Sequence, residues 1–134
     1  MADNVATVTE IYEAFGRGDI PTILGHLRED VEWEKGADSH GVPWLEPGRG
    51  IDHATAFFGR VAENLEFKRF EPTGMAVGDG VVLTFVSADV LVTSTGKSFT
   101  EDIEVHGWWF DDEGKVAAFR HFVDTPKHIE AFTA

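Results

Sequence analysis

The sequence predicts a single α+β domain over residues 1–134, with three N-terminal helices packed on one face of a curved, mainly antiparallel sheet of four to six strands. Residues 3–64 carry most of the apolar spacing that is typical of helices. Residues 65–123 read as strands that are joined by short turns. Short turns make neighbouring strands antiparallel, and the helices must then cover one face of that sheet.

The helices are predicted from their apolar stripes and from their capping residues. Asp3 is placed to cap a first helix that runs to Arg17, Asp19 caps a second one with Pro21 in its first turn, and Asp52 caps a third. The apolar stripe of the first helix recurs at three- and four-residue steps, through Val5, Val8, Ile11, Tyr12 and Phe15.

The strands are predicted from alternation and from β-branched residues. A short strand at Val31–Glu34 is followed by a loop rich in glycine and proline over residues 36–50. The later strands are Leu65–Val77 (bent near Pro72), Val81–Thr93, Phe99–Phe110 and Lys115–Val123. Thr125-Pro126 then begins a short terminal helix.

Composition narrows the classes of partner and of chemistry. The net charge of −13, from 24 acidic and 11 basic residues, disfavours nucleic acid and anionic membranes as partners. There is no cysteine, which excludes disulfides, thiol nucleophiles and cysteine-bound zinc. Without a signal peptide or an apolar run of about 20 residues, we expect a cytoplasmic protein.

The hairpin at residues 99–123 has two chemically different faces. Alternation places one polar and aromatic set on the same face: Asp102, Glu104, His106, Trp108, Phe119 and His121. The other face holds Ile103, Val105, Trp109, Val116, Ala118, Arg120 and Phe122. The acidic turn predicts that His106 lies opposite Phe119 and Glu104 opposite His121. Either face could be the buried one, and burial of the apolar face would leave the polar one in water.

The order of elements resembles a known superfamily. The segments Gly18-Asp19-Ile20, Asp30–Trp33, Gly48-Arg49-Gly50 and Phe110–Val116 are similar to those of nuclear-transport-factor-2-like proteins, and most of all to SnoaL-like polyketide cyclases and ketosteroid-isomerase-like proteins. The resemblance implies a cone-shaped α+β barrel around an apolar pocket, with a homodimer formed through the outer sheet face. It also implies that the polar face of the hairpin lines the pocket.

The chain departs from the isomerase pattern at three positions. The resemblance puts His106 where the isomerases have a pocket acid, and Ile11 where they have a tyrosine, with Tyr12 one residue away. Their general-base aspartate falls near Glu34 or Lys35, where no aspartate is in register. Steroid isomerisation by that apparatus is therefore not expected.

The candidate catalytic residues are His121, Glu104 and His106. Glu104 would fix the tautomer of His121, which would take a proton from a carbon beside a carbonyl group, and His106 would donate a hydrogen bond to the enolate. We expect a cofactor-independent isomerase, cyclase or dehydratase that acts on a small hydrophobic carbonyl compound. The alternative is a non-catalytic binding protein or accessory dimer of the same fold. These three residues also match a two-histidine, one-carboxylate metal set, but without a local metal motif we expect no metal.

The candidate substrate-binding residues are mostly aromatic. Each could equally be ordinary core, except that the loop residue among them, Trp44, suggests a lid or a dimer contact. The set is Tyr12, Trp33, Trp44, Phe85, Trp108, Phe119 and Val123.

Overall fold

The computed structural model describes residues 3–134, and in that range the chain forms four helices and a six-stranded sheet. The helices are α1 (Asn4–Gly16), α2 (Ile20–Gly25), α3 (Ile51–Asn64) and α4 (Thr125–Phe132). The strands are β1 (Leu27–Trp33), β2 (Gly48–Arg49), β3 (Leu65–Gly78), β4 (Val81–Val92), β5 (Ser98–Phe110) and β6 (Val116–Phe122). A single 3₁₀ turn, Pro43–Leu45, lies in the loop between β1 and β2.

The sheet is curved and unclosed, with the strand order β2-β1-β6-β5-β4-β3. The strands β3 to β6 pair antiparallel along the chain, as their short turns predict. β1 lies beside β6 and runs parallel to it, so the sheet is mixed. This arrangement brings the end of β1 next to the middle of β6, which decides the geometry of the site described below.

The helix starts follow the capping residues in two cases of three. Asp3 Oδ1 accepts a hydrogen bond from Ala6 N at 3.1 Å, and Asp19 Oδ1 accepts one from Thr22 N at 3.2 Å. The expected cap of α3 by Asp52 is wrong, because this helix begins at Ile51 behind Gly50. Gly50 has a φ of 97°, which favours glycine, and its N–H donates to the Val31 carbonyl at 2.8 Å.

A β-bulge in β5 overturns the predicted position of Asp102. Glu104 pairs with Val86 of β4 and Glu101 pairs with Ala88, so two residues of β5 lie opposite one residue of β4. Glu101 and Glu104 are both buried as a result, at 2% and 7% exposure. Asp102 and Ile103 are exposed, and Asp102 does not share the face of Glu104.

The inner face of the sheet and the helices enclose the core, and the outer face keeps exposed apolar side chains. Ile103 is 72% exposed and Phe122 is 43% exposed. Within residues 3–134, no helix has the length and apolar character that crossing a membrane requires.

Candidate active site

An aromatic cavity lies between the helices and the inner face of the sheet. The centre of a water molecule can occupy about 80 Å³ of it, which at roughly 10–15 Å³ per water is room for a small organic ligand. Neither lysine nor arginine lines this cavity among the residues that the structure describes. Its lining consists of Ile11, Tyr12, Phe15, Ile23, Trp33, Trp44, Phe57, Phe58, Val61, Leu65, Phe67, Phe70, Val90, Phe99, Glu104, His106, Trp108, Phe119, His121 and His128.

Most of the candidate residues line this cavity, and two do not. The polar face of the hairpin points inward, and the members that line the cavity are Glu104, His106, Trp108, Phe119 and His121. Tyr12, Trp33 and Trp44 complete the predicted set inside the cavity. The prediction that Phe85 lines the pocket is wrong. In β4 the neighbouring Thr84 and Val86 face inward, so Phe85 lies on the other face. Val123 follows the end of β6 and packs against the core without lining the cavity.

The predicted partners within the hairpin are also corrected. His106 lies opposite His121, and Trp108 lies opposite Phe119. The register therefore differs by two residues from the predicted one, which changes every partner but leaves each side chain on its predicted face, apart from Asp102 at the bulge. The predicted Glu104–His121 pair is consequently replaced by two separate histidine–carboxylate pairs.

The first pair joins His121 to Glu34. Glu34 follows β1 directly, is fully buried, and has a φ of 55°. Its Oε2 atom is hydrogen-bonded to His121 Nδ1, and its Oε1 atom accepts a hydrogen bond from His121 N at 3.2 Å. The positive φ is unfavourable for a side chain of this size. We attribute the retention of this backbone conformation to its effect on the side chain: it directs the Glu34 carboxylate toward the imidazole of His121 on the adjacent strand β6.

This pair controls the charge and orientation of the His121 ring. Burial alone would lower the pKa of His121, but the charge and the hydrogen bond of Glu34, together with the charges of Glu104 and Glu101, raise it above its usual value. Because Nδ1 is held by Glu34, Nε2 is the ring nitrogen left for the cavity. Nε2 has no hydrogen-bond partner within residues 3–134.

The second pair joins His106 to Glu104 and extends to α1. His106 Nε2 lies 2.5 Å from Glu104 Oε2, and its Nδ1 lies 2.6 Å from the Tyr12 hydroxyl oxygen. Trp108 Nε1 donates to that same hydroxyl oxygen at 3.1 Å. Both ring nitrogens of His106 therefore have a partner, Tyr12 at Nδ1 and Glu104 at Nε2.

The pKa values around this pair follow from burial and from hydrogen bonding. Burial opposes ionisation of Glu104, yet the hydrogen bond and charge of His106 outweigh it and lower the pKa of this carboxyl group. Burial raises the pKa of the Tyr12 hydroxyl well above its ordinary value. Glu104 is therefore a carboxylate at neutral pH, and Tyr12 is a neutral phenol.

A third histidine lies against the loop that bears Trp44. Trp44 Nε1 donates to His128 Nδ1 at 2.8 Å, and His128 Nε2 lies 3.4 Å from Glu101 Oε1. Glu101 also accepts from the N–H of Asp124, at 3.2 and 3.3 Å. This contact holds the Gly- and Pro-rich loop to α4, so Trp44 is buried within the protein.

Three members of the site were missed by reasoning from the sequence. Glu34 lies where the isomerase resemblance puts a general base, but its pairing with His121 depends on the parallel contact of β1 with β6. Glu101 reaches the interior only through the bulge in β5. His128 has no helical spacing that marks it, because its partner is a loop residue 84 positions away in the sequence. Within residues 3–134, no group of three or more potential ligands could hold a metal ion.

The comparisons with family models and with solved structures agree on one family and one fold. A family profile described as SnoaL-like domain matches residues 8–119. An NTF2-like protein of unknown function from Burkholderia pseudomallei is 30% identical over 100% of both chains, with a TM-score of 0.86. No match was found among curated proteins.

Two more distant structures show the same fold. TerC, co-crystallized with polyporic acid, is 24% identical over 96% of each chain, with a TM-score of 0.80. An LEH-like epoxide hydrolase from M. tuberculosis is 16% identical over 96% of this chain and 87% of its own, with a TM-score of 0.68.

Proposed function

The chain belongs to the SnoaL-like family, and on that premise we propose that it is a cofactor-independent isomerase, cyclase or dehydratase that acts on a small hydrophobic carbonyl compound. Proton transfer is the chemistry, and His121 is the group that moves the proton. The observation behind this proposal is the buried Glu34–His121 pair, which leaves one imidazole nitrogen for an aromatic cavity.

The geometry of this pair suits a general base. In the neutral ring, the Nδ1–H group donates a hydrogen bond to Glu34, so the lone pair of Nε2 is available to a substrate. Nε2 takes a proton from a carbon next to the carbonyl group, and the electrons of that C–H bond form the enolate. The imidazolium then returns the proton to another atom of the same molecule. Glu34 stabilises this imidazolium, because its charge raises the pKa of His121.

His106 takes a different role from the one that the sequence suggests. Both of its ring nitrogens are already engaged, Nδ1 by Tyr12 and Nε2 by Glu104. The ring therefore has no free N–H for an enolate oxygen. We propose that His106 positions the side chain of Glu104, which stays ionised in the cavity beside His106.

Exchange of carbon-bound hydrogen tests the proposal. Phenylacetone is incubated with the protein in D₂O, and loss of its α-proton signal is followed by NMR. We expect His121→Ala to slow the exchange about a hundredfold or more, which is the usual contribution of a general base. The matched control is His40→Ala, which removes an exposed loop imidazole and should leave the rate unchanged.

Two results would count against catalysis by His121. Equal exchange by the His121→Ala and unaltered proteins would remove this residue from the mechanism. Binding of phenylacetone without any exchange, over a range of ketones of similar size, would favour the non-catalytic binding protein instead. Exchange that persists after dialysis against a chelator is expected, because proton transfer of this kind needs only side chains.

We also propose a homodimer through the outer face of the sheet, in the cytoplasm. Phe122 is 43% exposed there and lies opposite Val105. Arg120 lies 4.8 Å above the Phe122 ring, so this apolar surface has a polar rim. Phe122→Asp should give a monomer in sedimentation analysis. Val77→Asp is the control. Val77 is 64% exposed, but it lies opposite Val82, whose side chain is on the inner face, so Val77 is not part of the outer face. A dimer that survives Phe122→Asp would rule out this interface.

A further inference from the structure

Among the residues that the structure describes, the cavity has one carboxylate in its lining, that of Glu104. Two others lie next to its histidines, because Glu34 contacts His121 and Glu101 contacts His128, and all three carboxylates have less than a tenth of their surface exposed. The lining holds no lysine or arginine among residues 3–134. His121 and Glu34 balance each other when the imidazole is protonated.

The other two histidines of the cavity are each held by two partners. His128 Nδ1 accepts a hydrogen bond from the Trp44 indole, and its Nε2 lies 3.4 Å from Glu101 Oε1. His106 is held by Tyr12 at Nδ1 and by Glu104 at Nε2. Neither ring therefore has a nitrogen left for a ligand in the cavity.

Glu104 is the carboxylate that a ligand in the cavity can reach. It lines the cavity, and its Oε2 atom is engaged with His106. Its Oε1 atom has no hydrogen-bond partner in the part of the chain that the structure describes, and it is not fully enclosed. Glu101, in contrast, does not line the cavity and accepts the N–H of Asp124.

Three aromatic rings lie around His106, the residue that is hydrogen-bonded to Glu104. The ring centres of Tyr12, Phe70 and Phe119 are 5.8, 6.3 and 5.8 Å from the imidazole centre. The faces of such rings attract cations, and the attraction grows when water is excluded. A carboxylate oxygen that has no partner and lines a largely aromatic cavity without lysine or arginine fits an ammonium group better than it fits a neutral or an anionic one.

We propose that the cavity takes a small aromatic molecule that bears an ammonium group, and that this group pairs with Glu104 Oε1. The inference deepens the proposed function: the substrate is then an aromatic amino ketone, with the ammonium at Glu104 and the acidic C–H at His121. An ammonium group beside the carbonyl also favours loss of that proton, because it stabilises the enolate that forms.

A series of equal-sized probes tests the charge preference without any turnover. The probes are 2-phenylethylamine, 2-phenylethanol and phenylacetate, and their binding is measured by calorimetry at neutral pH. We expect the amine to bind at least tenfold more tightly than the alcohol and the carboxylate to bind least. Glu104→Gln should abolish the difference between amine and alcohol. Asp102→Asn is the control, because it removes a charge from an exposed position of the same strand and should preserve the preference.

The amine's effect on the unaltered protein provides a second measurement if Glu104→Gln does not fold. The side-chain carboxyl carbon of Glu104 should shift in its NMR spectrum when 2-phenylethylamine is added, and not when phenylacetate is added. Phenylacetate that binds as tightly as the amine, or an amine preference that survives Glu104→Gln, would overturn the inference. The proposed function stands or falls separately, on the exchange of phenylacetone with and without His121.

Discussion

Replacing Glu34 by glutamine should lower the pKa of His121 and shift the pH dependence of catalysis. Glu34 presents two oxygens to His121, one to Nδ1 and one to the backbone N–H, and both lie away from water. A hydrogen bond to a charged group stabilises by about 1.5–3 kcal/mol. At 1.36 kcal/mol for each pKa unit, loss of that stabilisation corresponds to a fall of roughly one to two units.

An NMR titration of the His121 ring measures this change directly and needs no substrate. Glu32→Gln is the matched control, because Glu32 lies on β1 two residues earlier and pairs at the surface with Arg49 at 3.2 Å. Its loss should leave the pKa of His121 where it is. The same pKa for His121 in Glu34→Gln and in the unaltered protein would refute the role that we give to Glu34.

The sign of the pH dependence follows from the same pair. The folded protein raises the pKa of His121, so the stabilisation from this group is complete below the unfolded value of about 6.5. It is lost as the pH rises through the folded pKa. Exchange activity has the opposite trend, because the base must be neutral, and it should rise over that same interval. Urea unfolding and phenylacetone exchange are measured over a series of pH values. Stability should fall and the exchange rate should rise over the same interval. If both change in the same direction, His121 is not the base whose pKa the folded protein raises.

Four further substitutions test the packing and the polar contacts of the domain. Tyr12→Phe removes the hydroxyl that satisfies a buried indole and a buried imidazole, so urea unfolding should show a loss of about 1–3 kcal/mol; an unchanged midpoint would contradict this network. The lowered pKa of Glu104 gives stability that is present above about pH 4.3 and is lost as the pH falls, so the unaltered protein and Glu104→Gln should converge in acid; a constant difference between them would count against an ionised Glu104. Gly107→Ala would place a Cβ atom 2.7 Å from the Trp109 ring and should cost about 1–3 kcal/mol with a changed near-ultraviolet circular dichroism spectrum. Gly59→Ala, at an open position of α3, should instead stabilise by about 0.5–1 kcal/mol.

Local patterns in the sequence predicted the secondary structure well and the faces of the hairpin correctly except for Asp102. The side chains of a strand alternate with a period of two, so Glu104, His106 and Trp108 had to share a face whatever their partners. The register error of two residues did not disturb that result. The inward direction of the face came from the resemblance to a known family, because both faces hold enough apolar residues to be buried.

The bulge in β5 shows where alternation fails. One extra residue between Glu101 and Glu104 turns both carboxylates inward and puts Asp102 outside. Neither glycine nor proline occurs at this point to mark it in the sequence. Phe85 was misplaced for a related reason, since in β4 both faces are rich in apolar residues and alternation alone does not say which one faces the helices.

The sequence by itself determined the α+β class, the order of elements, the shared face of the hairpin and the aromatic, acidic character of the site, because these depend on residue type and on short-range periodicity. The tertiary structure alone decided which carboxylate serves which histidine. Glu34 meets His121 because β1 lies parallel to β6, and Glu104 meets His106 because register keeps it away from His121. Such partners are 87 residues apart in one case and 2 in the other, and no local pattern encodes a choice made by strand order and register.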